Sequence, residues 1–138
     1  LKGLFEIQDE GSQVIAAMAG AAPGMQVVDL CAGGGGKTLE LAALMDNSGQ
    51  IYATDADARR LAPIHDRLTR AGVRNVQVRT PKGRGDEPLA DLAGNIDLVL
   101  VDAPCTGIGT WRRNPDTKWR VRPGALDERM KDQDLVLA

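Results

Sequence analysis

Cysteine is scarce: Cys31 and Cys105 are the only two in 138 residues, and His65 is the only histidine. Two thiols alone build neither a disulfide framework nor a zinc site. No metal is expected, and a reducing, cytoplasmic compartment is the expected home. Long apolar runs are missing too. None approaches the roughly 20 residues that span a bilayer, so no membrane partner is expected. The opening "LKGLFEIQDEG" is acidic and lacks the apolar stretch of a signal peptide. Nor is there an excess of one charge, since the formal net charge is −2, which gives no global sign of nucleic-acid binding. Internal repeats and low-complexity tracts are absent. What is present is 43% hydrophobic and 26% charged residues, the balance of a soluble globular chain long enough for one domain with a real core.

The apolar runs alternate between strand and helix character. "QDEGSQVIAAMAGA" is Ala-rich and helical and ends before Pro23-Gly24; "MQVVDLCA" reads as a short buried strand, and "GGGGKTLELAALM" as a glycine turn opening a helix. "GQIYATDAD" is a second strand ending in acids. "ADARRLAPIHDRLTRAG" reads as one helix stopped by Gly72, with Pro63 tolerable only near its first turn. "NVQVRT" alternates as a third strand, "NIDLVLVDAP" is a fourth, and "GALDERMKDQDLVLA" is a closing helix. This order predicts an α/β domain, a parallel sheet with covering helices. "IDLVLV" lacks polar alternation, as expected of a strand buried on both faces. A doubly wound sheet normally continues past its fourth strand. The chain therefore reads as a partial domain over residues 1–138, cut short at its carboxyl end and opening abruptly at Leu1.

The turn "VVDLCAGGGGKT" fails two nucleotide patterns. A P-loop would need glycine at Cys31, and the dinucleotide fingerprint would need glycine at Thr38 or Leu39. What remains is an acid ending a strand, Asp29, then a glycine turn at a helix start, and a second acid, Asp55, ending the next strand. That pattern suits a nucleoside joined to an amino-acid tail, as in S-adenosyl-L-methionine. Glycines let the backbone approach closely, a helix N-terminus favours a carboxylate, Asp29 could take an ammonium, and Asp55 could accept both ribose hydroxyls. The alternative is a tight strand-to-helix turn with no ligand. It would leave four consecutive glycines, at about 0.5–1 kcal/mol each in backbone entropy, without a use.

"DAPCTGIGTWRRN" sets Cys105 just beyond the fourth strand. A structural cysteine belongs inside an apolar run, whereas this one sits where an open α/β sheet places its ligands. Residues 111–122 carry five cations, Arg112, Arg113, Lys118, Arg120 and Arg122, against Asp116 alone, with Trp111 and Trp119 interleaved. Such a segment is either a solvated face or, as cations among aromatics fit, a contact for single-stranded RNA.

Together "DLCAGGGGKT", "TDAD" and "DAPCTGIGTWRRNPDTKW" resemble the Nop/Sun family of RNA cytosine-5 methyltransferases, nearest to the bacterial Sun-type branch that modifies small-subunit ribosomal RNA. "GLFEIQDEGSQ" is similar to the family's entry motif, and "LDERMKDQDLVLA" to the helix leading into its second cysteine motif. The resemblance implies a Rossmann-like class I methyltransferase fold and S-adenosyl-L-methionine as cofactor. It implies cofactor contacts from Cys31, Ala32, Gly33, Gly34, Gly35, Gly36 and Lys37, with Asp55 on the ribose. Asp102 would stand beside both the methyl donor and the base, and Arg112, Arg113 and Lys118 would contact RNA, ribosomal by the branch. The sequence departs from the family twice. Gly33 and Gly34 replace Ala and Pro, and "TPKGRGDEP" puts Thr80, Pro81 and Lys82 where the family offers an acid near adenine, with Asp86 following late.

Methylating carbon 5 of cytosine needs a thiolate on carbon 6, which makes carbon 5 nucleophilic; loss of the carbon-5 proton after methyl transfer expels the enzyme. An acid near N3, a role suited to Asp102, stabilises the adduct. In the family the attacking thiol belongs to a Thr-Cys-Ser motif on the next strand, and the Cys of Asp-Ala-Pro-Cys helps release product. The resemblance thus makes Cys105 the release thiol and puts the nucleophile beyond Ala138. The 138-residue polypeptide alone is then expected to be inactive and to self-associate through the fourth strand's edge. Two other readings stand beside this one: a cofactor- and RNA-binding module without chemistry, and another adenosylmethionine-dependent enzyme such as an amino-methylase. The last typically carries Asn/Asp-Pro-Pro-Tyr/Phe, where Cys105 replaces the stacking aromatic.

Overall fold

The strands are short runs, three of them closed by an acid within two residues, and the four assemble in parallel. The structure, a computed structural model, describes residues 3–82 and 87–137; Asp86, the late acid after the third strand, lies outside the described residues. The chain divides into two compact units, one through Asp102 and one from Ala103.

In the first unit β1 (Gln26–Asp29), β2 (Gln50–Ala53), β3 (Val76–Val78) and β4 (Leu98–Leu100) form a sheet of order β3-β2-β1-β4. All pairings are parallel, with Val27 opposite both Ile51 and Leu98, and Asp29 opposite both Ala53 and Leu100. Strand order reverses between β1 and β4, which makes the carboxyl edge there the crevice where such sheets bind ligands. Helices α1 (Glu10–Met18) and α2 (Gly36–Leu44) pack on each other. α2 lays Leu41 and Ala42, with Met45 just past its end, on Val27, Ile51 and Leu100. α3 (Ala58–Leu61) and α4 (Ile64–Ala71) close a second cluster, Leu61, Ile64 and Leu68 against Leu39 and Ala53. Each buried Leu or Ile contributes about 1.5–3 kcal/mol.

Two expectations need correction. The single helix over residues 56–72 is two helices. Asp57 caps α3 by accepting from the Arg59 amide at 2.9 Å, and Pro63 stands at the N-cap of α4. Proline has no N–H for the carbonyl four residues back and its ring crowds that carbonyl, so the ladder restarts. Gly72 ends α4 in the left-handed region at φ 68°, as expected. Nor is β4 buried on both faces, because Val99 is 52% exposed while Leu100 is buried. Side chains alternate across a sheet; α2, α3 and α4 cover the face of Val27, Ile51 and Leu100, and Val99 points to the other.

In the second unit, 3-10 turns at Ile108–Thr110 and Pro115–Arg120 precede α5 (Ala125–Leu137). Gly107, left-handed at φ 75°, makes the turn after Cys105, and Gln133 Nε2 donates to the Pro104 carbonyl at 2.8 Å. α5 buries none of its residues.

Candidate cofactor site

β1 delivers Asp29 to the carboxyl edge at 1% exposure. Its Oδ2 accepts from Thr38 Oγ1 at 2.7 Å, and its Oδ1 is buried with no partner. Burial pushes this carboxyl up to about 6; the Thr38 hydrogen bond and the Lys37 charge pull the other way. A buried acceptor without a donor costs about 1–3 kcal/mol, so Oδ1 is a place for a donor that the protein itself does not supply.

The turn after β1 is fixed at several points. The Ala32 amide donates to the Thr54 carbonyl at 2.9 Å and the Gly35 amide to the Ala32 carbonyl at 2.9 Å. Gly33 and Gly35 are left-handed, at φ 51° and 81°. A Cβ on Gly35 would stand 2.4 Å from Ile64 Cγ1, so position 35 must be glycine on two counts. Gly35 caps α2 without any side-chain hydrogen bond. The first amides of a helix have no intrahelical acceptor and carry the positive end of its dipole, so they are open to an anion. Cys31 is half-buried; burial pushes its thiol up, and the Asp55 and Asp29 charges add to the effect.

Asp55, 3% exposed, braces the same turn. Oδ2 accepts from the Gly33 amide at 3.1 Å and Oδ1 from the Asp57 amide at 2.9 Å. Arg60 Nη1 lies 3.4 Å from Oδ2. Each carboxylate oxygen has a second lone pair and keeps capacity for a hydroxyl. Lys37 does something the sequence did not announce. Its ammonium, on a side chain only 13% exposed, meets Asp102 Oδ2 at 2.6 Å and Ser12 Oγ at 3.5 Å, tying α1, α2 and the chain after β4 together. Asp29, Asp55, Asp102 and the turn with Gly34, Gly36 and Lys37 therefore share one sheet edge, and the residues fit a nucleoside with an amino-acid tail.

After β3 an acid, Asp91, is already engaged by Arg79. Thr80 and Lys82 line a cleft of about 500 Å³ with Arg79, Pro88 and Asp91. Arg79 engages both Asp91 oxygens, donates to the Pro88 carbonyl and lies over the Tyr52 ring at 4.7 Å. Arg60, Arg67 and Ser12 are site residues that composition and motif did not single out. For Arg67 the usable signal was its spacing from Ile64, three residues on along one face of α4.

In the second unit Cys105 is exposed and free. Arg112 and Arg113 are exposed. Lys118 Nζ lies 4.9 Å over the Trp119 ring, which is 81% exposed. Trp111 is half-buried, its indole N–H without a partner. His65 is exposed on α4. Among the described residues no group of three or more His, Cys, Asp or Glu could hold a metal ion, and no helix is long and apolar enough to cross a membrane.

The chain is similar to known proteins in sequence and in fold. It is 42% identical over 128 residues to ribosomal RNA small subunit methyltransferase F of Serratia proteamaculans, covering 91% of this chain and 26% of that protein. It is 35% identical over 137 residues to the corresponding methyltransferase B of Sodalis glossinidius, covering 99% and 31%. Among solved structures, PH0851 superposes with a TM-score of 0.90 at 38% identity, covering 99% of this chain and 30% of that one. NSun6 from Pyrococcus horikoshii with SFG gives 0.83 at 31%, covering 99% and 34%. The chain thus spans about a third or less of the length of these relatives. The model for 16S rRNA methyltransferase RsmB/F matches residues 17–138, the stretch that holds the glycine turn and all three edge carboxylates, and the chain belongs to that family.

Proposed function

We propose that this chain forms the S-adenosylmethionine-binding core of an enzyme that methylates carbon 5 of a cytosine in small-subunit ribosomal RNA. The observation that carries the reading is the sheet edge itself. A buried carboxyl with an unmet acceptor, a glycine turn opening an uncapped helix, and a second buried carboxylate stand in one row. Family membership and the SFG-bound relative, SFG being an S-adenosylmethionine analogue, support the same cofactor.

Bound S-adenosylmethionine supplies a methyl group on a positively charged sulfur. The open amides at the start of α2 take the carboxylate of its amino-acid tail. Asp29 Oδ1 takes a donor from the same tail, and Asp55 takes the ribose hydroxyls. Asp102, held by Lys37, faces the reacting base and steadies its N3 side. Cys105 is the release thiol. These roles make the reaction a cytosine methylation by covalent cysteine catalysis in a reducing, cytoplasmic setting, without a metal. Asp-Ala-Pro-Cys in place of Asn/Asp-Pro-Pro-Tyr/Phe favours carbon 5 over an amino group as the methyl acceptor.

Disrupting the gene that encodes the chain tests this directly. Bisulfite sequencing of small-subunit ribosomal RNA should then show one cytosine, protected in the parent, that converts in the mutant. A mutant whose map keeps every protected cytosine overturns the reading.

A further inference from the structure

One face of α3 and α4 grips the glycine turn at three places. Arg60 reaches Asp55, Ile64 lies against Gly35, and Arg67 Nη1 donates to the Gly34 carbonyl at 2.6 Å. Arg67 is held in turn: its Nη2 lies 3.4 Å from Glu6 Oε2, and Arg70 also donates to Glu6. The side chains of Arg67 and Glu6 are each 23% exposed.

We propose that Arg67 is a positioning residue for the cofactor turn, a strut that Glu6 of the amino-terminal segment holds in place. The proposal rests on the S-adenosylmethionine reading above. Four successive glycines leave the turn with more backbone freedom than any other sequence would. Gly33 is tied through its amide to Asp55, and Gly35 through its amide to Ala32 and its carbonyl to Leu39. Gly34, midway between them, is tied through its carbonyl to Arg67. Pulling that carbonyl toward α4 fixes the Gly34–Gly35 peptide plane, and with it the direction of the Gly35 amide. A guanidinium suits the task because its planar fork serves a carbonyl and a carboxylate at once, which a lysine ammonium on a flexible stem does poorly. Gly34 also differs from Gly33 and Gly35 in having no left-handed φ, and a Cβ there would meet only Arg67 Nη1, at 3.4 Å. Alanine at 34 would therefore stiffen the turn without strain once Arg67 is shortened.

The test pairs calorimetry with S-adenosylmethionine and amide exchange of residues 33–37 in the ligand-free chain. Arg67→Met should weaken cofactor binding about tenfold, as expected for loss of a charge-assisted hydrogen bond, and speed exchange in the turn. Glu6→Gln should give a smaller loss with the same signature. Adding Gly34→Ala to Arg67→Met should recover about two- to fivefold in affinity by removing backbone freedom. Arg67→Lys, intermediate in affinity, carries the comparison should the methionine variant fail to fold. Arg67→Met that binds like wild type with unchanged exchange, while Asp55→Ala loses binding, overturns the strut and leaves the cofactor reading standing. Failure of Gly34→Ala to restore affinity also overturns it, since Arg67 would then act through general stability. A wild-type chain that takes up no S-adenosylmethionine removes the cofactor reading, and the role of Arg67 with it.

Discussion

Asp29 keeps a carboxyl group where charge is least favourable, and the consequence is a pH dependence of known sign. Its folded value of about 6 lies above the ordinary 3.8. Between those values the folded chain holds a proton that the unfolded chain has released. Stability therefore falls as pH rises through that window, by roughly 2–3 kcal/mol at this one group. Asp29→Asn cannot titrate. Relative to wild type, its urea-unfolding free energy should rise by about 2 kcal/mol between pH 4 and pH 7, while cofactor binding weakens because Oδ1 no longer offers a carboxylate. A difference between the two proteins that stays flat across that range would show that Asp29 is not the titrating group. The same residue shows what the sequence makes visible at this scale. Asp29 and Asp55 stand out because each ends an apolar run, Asp29 shortly before the four glycines. Arg60 and Arg67 do not, because an arginine among the charges of "ARRLAPIHDRLTR" looks like solvated helix until its partner is placed beside it.

Among elements, the glycine turn and the helix it faces determine each other's sequence. Gly35→Ala would force a side chain into the left-handed region and drive its Cβ into Ile64, which belongs to the second core cluster. The expected cost is about 2–4 kcal/mol, from left-handed strain plus overpacking. Gly34→Ala, one residue away, should stay within about 1 kcal/mol of wild type. Chemical denaturation of the two variants checks the contrast, and equal losses would mean that Ile64 does not set the limit. The strands and α2 were legible in sequence because an apolar run closed by an acid or by glycines has few other ways to fold. The break at Pro63 was underestimated because residues 56–72 keep a helical apolar spacing on both sides of it. The exposure of Val99 was not legible at all, since an apolar run does not record which face of a sheet its helices cover.

At the scale of the whole chain, charge and task pull apart. A net charge of −2 predicts weak attraction to any polyanion, yet the family's substrate is ribosomal RNA. On the reading proposed above, RNA binding is expected to be local, with the cations of the second unit as the candidate place. Arg112, Arg113, Lys118 and Arg120 are exposed, Lys118 lies over the Trp119 ring, and Arg120 engages Asp116 at 2.7 Å. A tryptophan that is 81% exposed adds a stacking platform for an unpaired base. Arg112, Arg113 and Lys118 are therefore expected to bind phosphates. Removing any one of these cations should lower the salt slope of binding to single-stranded RNA by about 0.7, so the triple alanine variant should drop by about 2 in slope and bind more weakly at low salt. Fluorescence anisotropy with a labelled single-stranded RNA over a salt series measures both. Trp119→Ala should behave differently, weakening binding by a constant factor at every salt concentration, because stacking releases no counterions. A triple variant whose slope matches wild type would mean that these cations face solvent, and that RNA is held by other residues.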